Sequence, residues 1–325
     1  MSHRVVCAAL VVAMLMCVQS VSADSGRSGF ESPSPDKVFA PQPTRRSFTN
    51  VLLLGLDRGS DPTMPARTDT MILASVDTRT RHIVMVSIPR DLWVDIPGYG
   101  EGRINTAYYL GEYYALKGSG PALAMKTVAA ALDVPVDYYV TVDFDGFVSA
   151  IDAIGGLDID VPKDVRRYAY IDGQDSSVIA IPAGSQHMDG ATTLTYVRSR
   201  FGTTDYERMR RQQQVLLAAR SKVLGLQIPV GRYPALFSSL GGAIKTDLPV
   251  TKMFSLAAFA IQMDSKAITH VVIDESIAHT VIRPSGAMVE VPDWDKLHAL
   301  VRNALPQETP APLQSGVFSR FLWGW

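Results

Sequence analysis

The sequence predicts an α/β protein with a mixed central β-sheet. Three continuous apolar runs, at 50–57, 70–77 and 82–89, are typical of strands that are buried on both faces. A pattern of good helix formers at 121–133 and a strand pattern at 138–144 follow them. Because strands and helices interleave in this way, the helices are expected to cover the sheet rather than to form a separate domain.

The first three strands are predicted to form an antiparallel meander. Four residues, Thr78 to Arg81, separate the second run from the third, which favours a tight hairpin. In a meander, the end of the first strand, the start of the second and the end of the third lie at the same end of the sheet. The charged residues expected to meet there are Asp57, Arg58, Arg67, Asp69, Arg90 and Asp91.

The later elements are predicted from the periodicity of apolar residues and from the glycines that stop helices. Helical patterns and short strand patterns continue to alternate to about residue 274. The predicted helices lie at 144–156 and 251–263, and the predicted strands lie at 157–161, 193–200 and 267–274.

The composition excludes two classes of protein. With 31 Lys and Arg against 32 Asp and Glu, the net charge is −1, so no nucleic acid partner is expected. The cysteines, Cys7 and Cys17, both lie near the N-terminus. The rest of the chain therefore has neither a disulfide framework nor a cysteine metal site.

The N-terminus carries an export signal. Arg4 precedes an apolar run at 5–21, and residues 21–23 resemble a cleavage site. Residues 1–23 are therefore either a cleaved signal peptide or an uncleaved membrane anchor, and both alternatives remain open. In either case we expect the body of the protein to lie outside the cytoplasm.

The regions that flank the folded domain differ from it in composition. Residues 24–49 are rich in Ser, Pro and Gly, which predicts a flexible linker. The folded domain is predicted to span residues 50–302. A Pro-rich tail at 303–325 ends in aromatic residues, and such a tail either contacts a membrane interface or is loose.

Residues 197–214 contain five arginines and no lysine. The planar guanidinium fork matches the oxygens of phosphate and carboxylate groups, which a lysine does not. Arg198 and Arg200 alternate on the strand predicted at 193–200, so both should point to one side. The stretch therefore predicts a site for an anion.

The helix that follows strengthens this interpretation. The sequence from Thr204 to Glu207 is a capping-box pattern, which opens a helix that extends to about Gly225. Arg208 lies in its first turn, where the helix dipole favours an anion. We therefore predict a phosphate clamp at this turn, with Arg210 pointing away from it toward solvent.

Asp57 and Asp69 are candidate metal ligands. Two carboxylates that meet at one end of a sheet repel each other unless a cation or a proton lies between them. Mg²⁺, or Mn²⁺ in its place, would remove this repulsion if phosphate oxygens completed its coordination. The alternative is a pair of solvated aspartates that cap turns, and the spacing alone does not exclude it.

Because an exported protein has no ready supply of ATP, a phosphate substrate is expected on a lipid.

Six stretches of the chain together resemble a known family. They are GLDRG, ARTDTMILASVD, VSIPRDLWVDIPG, RINTAYYLGE, VDFDGFVSAIDAIGGLDIDV and YVRSRFGTTDYERMRRQQQ. In this order they resemble the LytR–CpsA–Psr family of bacterial cell-envelope proteins, over residues 50–225. The resemblance implies an N-terminal membrane segment and an extracytoplasmic α/β/α domain. It also implies a phosphotransferase that moves a glycan polymer from a polyprenyl-diphosphate carrier to peptidoglycan.

The resemblance also implies roles for individual residues. The family's metal-binding aspartates correspond to Asp57 and Asp69. Asp91 follows Arg90 in the family's Pro-Arg-Asp block, and Asp205 precedes Arg208 in its Asp-x-x-Arg block. Arg90 is therefore a candidate catalytic residue, and either Asp91 or Asp205 is a candidate base. A groove for the lipid is implied between the helices at 121–133, at 144–154 and around Leu216. The arginines that correspond to the diphosphate-binding set are Arg67, Arg90, Arg198, Arg200, Arg208 and Arg211.

Three other functions remain compatible with this pattern. The protein would be a pyrophosphatase if water were the acceptor, or a non-catalytic carrier of polyprenyl lipids if there were no turnover. A transcriptional attenuator is the third alternative, because proteins of this family often have that label. The export signal and the lack of a helix-turn-helix pattern argue against it. The expected partners are a polyprenyl-diphosphate-linked glycan, peptidoglycan and the membrane.

Overall fold

The computed structural model describes residues 46–57, 59, 63–114, 119–171, 174–226 and 244–306. The predicted signal or anchor segment, most of the linker and nearly all of the C-terminal tail therefore lie outside the described residues. Within the described ranges, every helix is too short or too polar to cross a bilayer.

The strands and helices alternate along the chain, as the sequence predicts. The first strand begins at Phe48, inside the predicted linker, and the last helix ends at Ala304. The strands are β1 (Phe48–Asp57), β2 (Arg67–Asp77), β3 (His82–Ser87), β4 (Trp93–Ile96), β5 (Gly100–Arg103), β6 (Tyr138–Asp143), β7 (Leu157–Val161), β8 (Val165–Ile171), β9 (Gln174–Ile181), β10 (Gly184–Met188), β11 (Ile244–Thr246), β12 (Ile268–Val272), β13 (Ala278–Ile282) and β14 (Met288–Pro292). The helices are α1 (Thr106–Tyr114), α2 (Ser119–Leu132), α3 (Phe144–Ala153), α4 (Gly190–Arg198), α5 (Asp205–Gly225), α6 (Val250–Ile261) and α7 (Trp294–Ala304).

The central sheet is mixed and has six strands in the order β11-β6-β1-β2-β3-β12. β1, β2 and β3 pair antiparallel, so the predicted meander is confirmed. β6 runs parallel to β1, and β12 runs parallel to β3. The end of the sheet with the predicted charged residues is therefore built from three neighbouring strands.

Helices cover both faces of this sheet, which confirms the α/β/α fold. Residues from α3, α4, α5 and α6 share one buried apolar cluster with alternate residues of β1, such as Val51 and Leu53. Residues from α1, α2 and α7 share a second cluster with Leu52 and Leu54. Since both faces of β1 are covered, its sequence is continuously apolar rather than alternating.

The strand predicted at 193–200 is wrong, because this segment forms α4 and the loop that follows it. Asp189 caps the helix by accepting a hydrogen bond from the backbone N of Thr192 (2.7 Å). Thr193, Tyr196 and Val197 then bury one helical face. The threonines and the aromatic residue favour a strand in isolation, but the cap and the buried face outweigh that preference.

The remaining local predictions are largely confirmed. The capping box of Thr204 and Glu207 is present, and α5 ends at Gly225. The segment at 157–161 is a strand, but it pairs with β10 in a separate two-stranded sheet. The hairpins β4–β5, β8–β9 and β13–β14 and the helices α1 and α7 are absent from the sequence-based prediction.

Candidate active site

The ends of the first three strands meet as predicted. Asp57 is the partner of Arg67 at the end of the β1–β2 ladder. Arg90, three residues after β3, donates a hydrogen bond from Nη1 to Oδ1 of Asp69 at 2.9 Å. Charged residues from three separate blocks of the sequence are thus brought to one end of the sheet.

β2 carries a bulge at Asp69. Gly55 of β1 lies opposite Thr70 and Leu56 lies opposite Thr68, so Asp69 is an extra residue in the ladder. Bulges of this kind re-aim side chains next to functional sites. Here Asp69 and Thr70, although consecutive, both line one apolar cavity.

Gly55 permits the two strands to approach closely beside this bulge. A Cβ at this position would lie 2.9 Å from Cβ of Thr70, which is shorter than an ordinary contact between carbons. The glycine is therefore required by the packing of the bulge rather than by a left-handed backbone conformation.

Two arginines hold the carboxylate of Asp69. Oδ1 accepts a hydrogen bond from Arg90, and Oδ2 accepts one from Nη2 of Arg200 at 2.9 Å. Burial alone would raise the pKa of Asp69. The charges of Arg90, Arg200 and Arg208 outweigh this effect and lower the pKa below its ordinary value. Asp69 is therefore ionised throughout the neutral range.

Asp57 is held in a more exposed place. Its Oδ2 lies 3.3 Å from Nη2 of Arg198, and its Oδ1 accepts a hydrogen bond from the backbone N of Gly59 at 2.8 Å. The guanidinium of Arg198 also lies over the ring of Phe144, 4.1 Å from its centroid. Arg198 thus contacts a carboxylate and an aromatic face together, an arrangement that suits guanidinium better than ammonium.

Arg198 and Arg200 reach these carboxylates from a helix end and a loop. Arg198 is the last residue of α4, and Arg200 lies in the loop before α5. The prediction that they share one side of a strand is therefore wrong, although both reach aspartates at the same end of the sheet. The positions of both arginine side chains depend on where α4 ends. The predicted strand does not give this end.

Arg208 connects the first turn of α5 to the bulge. It is 2% exposed and donates from Nε and Nη2 to Oδ1 of Asp205, at 2.8 and 2.7 Å. Its Nη1 donates to the backbone carbonyl of Asp69 at 2.8 Å. The same side chain therefore fixes the position of the bulge and contributes positive charge at a helix N-terminus.

Both candidate bases are engaged in ion pairs. Asp91 lies 3.3 Å from Nε of Arg90 and 3.3 Å from Nε of Arg103. Asp205 contacts Arg208 and lies 3.9 Å from Nε of Arg90. Burial alone would lower the pKa of Arg90, but the charges of Asp69 and Asp91 raise it.

The arginines crowd one another at this site. Burial lowers the pKa of Arg200, and the charge of Arg90 lowers it further. We name this group the arginine–aspartate cluster. Its members are Asp57, Asp69, Asp91, Asp205, Arg90, Arg198, Arg200 and Arg208.

Two of the predicted diphosphate ligands lie at the margin of the cluster. Arg67 is exposed, and its guanidinium lies 5.6 Å from the ring centroid of Tyr109. Arg211 is buried and donates to the backbone carbonyl of Ser199 and to Oγ1 of Thr203. Arg211 thus holds the loop that carries Arg200, and its role in binding a diphosphate stays a prediction.

Arg210 points away from the cluster, as predicted. Its side chain is 57% exposed and lies 3.6 Å from Asp274. The helical rotation between Arg208 and Arg210 accounts for this difference, since residues two apart lie on opposite sides of a helix. Arg210 is therefore a suitable control for the charge of this helix.

An apolar cavity opens at the arginine–aspartate cluster. Its walls come from β1, β2, β6, α3, α4 and α5, and Asp69, Arg198 and Arg208 lie among its lining residues. A second apolar cavity shares Leu53 and Leu216 with it. We call them the outer and inner cavities.

Two of the three segments predicted to form the walls of a lipid groove line the outer cavity. Phe144 and Phe147 of α3 and Leu216 of α5 line the outer cavity. The segment at 121–133 does not, because it lies in α2, whose buried residues Ala124 and Val128 belong to the apolar cluster on the other face. Its apolar composition reflects core packing rather than a ligand site.

The donors at the cluster are suited to a hard cation. Among the described residues, no group of three or more His, Cys, Asp or Glu side chains could hold a metal ion. The only donor atoms that Asp57 and Asp69 offer are carboxylate oxygens. Each of these oxygens already accepts a hydrogen bond or forms an ion pair. Mg²⁺ or Mn²⁺ is commonly held by one or two carboxylates, phosphate oxygens and water, so a cation at this pair of aspartates stays a prediction.

Some residues that shape the site give little signal in the sequence. Glu290 of β14 accepts a hydrogen bond from the hydroxyl of Tyr206 at 3.0 Å, and its backbone N donates to the carbonyl of Asp91 at 2.9 Å. It thereby connects the two elements that carry the candidate bases. Glu290 lies 84 residues from Tyr206 in sequence, so no local pattern indicates this contact.

Comparison with known proteins gives consistent matches. The model of the LytR_cpsA_psr family matches residues 13–299. The chain is 34% identical over 212 residues to the polyisoprenyl-teichoic acid–peptidoglycan teichoic acid transferase TagU of Enterococcus faecalis, covering 64% of either chain. It is 31% identical over 226 residues to the regulatory protein MsrR of Staphylococcus aureus, covering 68% of this chain and 63% of MsrR. The matches thus span less than two thirds of the length of these relatives.

Solved structures resemble most of the chain. TagV of B. subtilis has 26% identity and a TM-score of 0.64, covering 79% of this chain and 96% of TagV. TagT bound to LI-WTA has 26% identity and a TM-score of 0.63, covering 83% of this chain and 94% of TagT. YwtF (TagT) with bound octaprenyl pyrophosphate lipid has 25% identity and a TM-score of 0.59, over the same shares.

Proposed function

The chain belongs to the LytR_cpsA_psr family, and we propose that it is a phosphotransferase that moves a glycan polymer from a polyprenyl-diphosphate carrier onto peptidoglycan. One observation carries this proposal. The outer cavity is lined by apolar residues, yet three charged residues of the arginine–aspartate cluster, Asp69, Arg198 and Arg208, lie on its wall. A polyprenyl diphosphate has the same division between an apolar chain and an anionic head.

The arginines would supply most of the catalysis. Phosphoryl transfer requires charge stabilisation and positioning rather than covalent chemistry by the protein. Arg90, Arg198, Arg200 and Arg208 would contact the diphosphate oxygens and stabilise the charge that develops on the departing polyprenyl phosphate. In exchange, Asp57 and Asp69 would release part of their present ion pairs.

The bonds that change are defined by this substrate. The oxygen of an acceptor hydroxyl forms a bond to the sugar-proximal phosphorus, and the bond from that phosphorus to the bridging oxygen breaks. Polyprenyl phosphate leaves with the electron pair of the broken bond. The hydroxyl proton passes to a carboxylate, for which Asp91 and Asp205 are the candidates because both lie beside Arg90. In a loose transition state this proton transfer occurs late and makes little demand on the base.

A divalent cation is part of the proposal. Asp57 and Asp69 would hold Mg²⁺, or Mn²⁺ in its place, together with diphosphate oxygens. When bound, the cation would neutralise charge on the diphosphate. Asp69 is suited to this role, because burial raises its pKa less than the surrounding arginines lower it, and it stays ionised.

The family is associated with the cell envelope. The described domain is proposed to face outward, next to a membrane that supplies the lipid-linked donor and next to the peptidoglycan that accepts the polymer. Whether residues 1–23 anchor the protein or are cleaved is decided by mass spectrometry of the mature N-terminus. A domain shielded from protease on intact cells would contradict an extracytoplasmic location.

The alternatives differ from the transferase in their products. A pyrophosphatase would release free glycan phosphate, and a lipid carrier would give no product. The name of MsrR, a regulatory protein, suggests a regulatory role, but the export signal and the lack of a helix-turn-helix pattern in the sequence argue against regulation of transcription.

The deciding experiment incubates the purified full chain with lipid-linked glycan and peptidoglycan fragments, with Mg²⁺ or with excess chelator. We expect glycan joined to the acceptor through a phosphodiester, and loss of this product in chelator. Glycan phosphate alone would favour the pyrophosphatase, and binding without product would favour the carrier. Full activity in chelator would remove the metal from the proposal.

A further inference from the structure

A row of tyrosines begins at the edge of the arginine–aspartate cluster. The guanidinium of Arg67, the first residue of β2, lies 5.6 Å from the ring centroid of Tyr109. From there the rings follow one another at centroid separations of 5.5 Å (Tyr109 to Tyr113), 4.7 Å (Tyr113 to Tyr114) and 6.0 Å (Tyr114 to Tyr99). We call Tyr99, Tyr109, Tyr113 and Tyr114 the tyrosine row.

The outer part of this row is not needed for the packing of the core. Ala107 and Tyr108 of α1 are buried in the apolar cluster and hold the helix against the sheet. Tyr113 is 51% exposed and Tyr114 is 67% exposed, so their rings contribute little to that packing. Contiguous apolar surface that is open to solvent commonly marks an interaction site. Tyrosine suits such a site, since its ring is rigid and its hydroxyl can still form hydrogen bonds.

The tyrosine row and the outer cavity lie on opposite faces of the central sheet. The cavity is walled by α3, α4 and α5. The helix α1 instead packs in the apolar cluster on the other face, together with Leu52 of β1. The arginine–aspartate cluster at the end of the sheet therefore lies between the cavity and the tyrosine row.

In-line phosphoryl transfer gives this arrangement a meaning. The attacking and leaving oxygens lie on opposite sides of the phosphorus. In the proposed reaction the leaving group is polyprenyl phosphate, whose chain would occupy the outer cavity. The acceptor hydroxyl would then approach from the side away from the cavity, which is the side of α1.

One of the two candidate bases lies on the same side. Asp91 is 3.3 Å from Nε of Arg103, three residues before α1 begins. The backbone N of Asn105, directly before α1, donates to the carbonyl of Arg90 at 3.1 Å. An acceptor guided along α1 would therefore bring its hydroxyl to Asp91.

The chemistry of the tyrosine row fits a chain of sugars. An aromatic ring packs against the C–H groups on one face of a pyranose, and the phenolic hydroxyl can bond to sugar hydroxyl or amide groups. The separations of 4.7 to 6.0 Å are close to the size of a pyranose ring, so successive sugars of one strand can contact successive tyrosines. Tyrosines also favour membrane interfaces, but a prenyl chain in the outer cavity would place the membrane on the cavity side.

We infer that the tyrosine row binds the glycan strand of the acceptor and directs one of its hydroxyls toward the arginine–aspartate cluster. This inference rests on the proposed transferase function and gives its second substrate a binding site. It assigns Tyr113 and Tyr114 to sugar rings at a distance from the reacting hydroxyl.

The test uses the full chain, a lipid-linked donor and peptidoglycan glycan strands from which the stem peptides have been removed. Turnover is measured against the concentration of each substrate, and binding of the strand alone is measured by calorimetry. Tyr113→Ala should raise the KM of the acceptor and weaken binding of the strand about three- to tenfold, as expected for the loss of one aromatic contact. The KM of the donor should stay unchanged. Tyr113→Phe keeps the ring and should restore most of the affinity for the strand.

The matched control is Trp294→Ala. Trp294 is 42% exposed and lies on α7, which packs on the same face of the sheet as α1. This variant also removes an exposed aromatic ring, but it should leave the KM of both substrates unchanged. Denaturant titration should give the same midpoint for Tyr113→Ala and the wild type, because the ring of Tyr113 is exposed.

Four results would overturn the inference. The first is an unchanged acceptor KM in Tyr113→Ala, and the second is an equal rise in Trp294→Ala. The third is a rise in the KM of the donor instead, since the row would then contact the donor. The fourth is weaker association of Tyr113→Ala with anionic phospholipid vesicles at an unchanged acceptor KM, which would assign the row to the membrane. In these four cases glycan transfer by the wild type still supports the proposed function. If the wild type transfers no glycan, the proposed function fails, and this inference fails with it.

Discussion

Neighbouring residues of β1 lie in different surroundings on the two faces of the central sheet. Leu52 is fully buried against the apolar cluster that contains residues of α1, α2 and α7. Leu53 lies on the other face and lines both the outer and the inner cavity. We call these the solid face and the hollow face. Close packing on the solid face contributes to stability. On the hollow face the side chains pack less closely and leave space that a ligand can fill.

The largest expected effect is a loss of stability on the solid face. Leu52→Ala should lower the free energy of unfolding by roughly 2–5 kcal/mol, since it removes a fully buried side chain and leaves a cavity. Leu53→Ala should cost less, because part of that side chain already borders open space. Denaturant titration of both variants measures this difference. An equal or larger loss for Leu53→Ala would contradict the distinction between the faces.

The next effect concerns activity at the mouth of the hollow face. Arg200→Ala should lower turnover roughly 10²–10³-fold, as expected for the loss of one transition-state donor. Arg200→Lys should not restore it, because lysine keeps the charge but lacks the fork. The control is Arg210→Ala on the exposed side of α5, which should lower turnover only a few-fold. If Arg210→Ala and Arg200→Ala are equally damaging, the placement of the site is wrong.

A smaller effect is expected where the solid part of the domain supports the site. Tyr206→Phe removes the hydroxyl that contacts Glu290 and the carbonyl of Ala278. Burial raises the pKa of Tyr206, and the charge of Glu290 raises it further, so the hydroxyl stays protonated. The variant should lose about 1–2 kcal/mol of unfolding free energy, because a charged acceptor loses its donor. Unfolding curves test this, with Tyr113→Phe at an exposed tyrosine as the control.

The smallest effect is a dependence of stability on pH at the mouth of the hollow face. The pKa of Asp69 is lowered in the folded protein, since its arginine partners outweigh the effect of burial. Its contribution to stability is therefore present above the ordinary carboxyl pKa and is lost as the pH falls through the lowered value. We expect the stability difference between wild type and Asp69→Asn to shrink below about pH 4. A constant difference down to about pH 2 would contradict this.

The sequence predicts the central part of the fold well, because the relevant signals are local. The apolar runs of β1 to β3 identify strands buried on both faces, and the short turn at 78–81 fixes the hairpin. The capping box of Thr204 and Glu207 gives the start of α5 without tertiary information. These signals come from residues that are neighbours in the sequence, so they can be recognised without a structure.

Other parts of the site depend on contacts that are distant in sequence. The segment of α4 is wrongly predicted as a strand. Its threonines favour a strand, and its helical face is buried only in the folded protein. The bridge between Arg166 and Phe201 and the contact between Tyr206 and Glu290 join segments far apart in sequence. The residues of the cluster are therefore predictable as a set, but their supports are not.

The bulge at Asp69 changes the phase of β2. On one side of it, Met71 and Leu73 belong to the apolar cluster of the solid face, and an uninterrupted ladder would turn Asp69 toward them. The extra residue instead lets Asp69 and Thr70 share the hollow face. A one-residue deletion at the bulge would keep the pairing of the apolar residues of β2 that follow Thr70. It would, however, turn the carboxylate of Asp69 toward the apolar cluster of the solid face. The enzyme proposed here would thus depend on strand parity, a property that no single substitution changes and that a one-residue deletion removes.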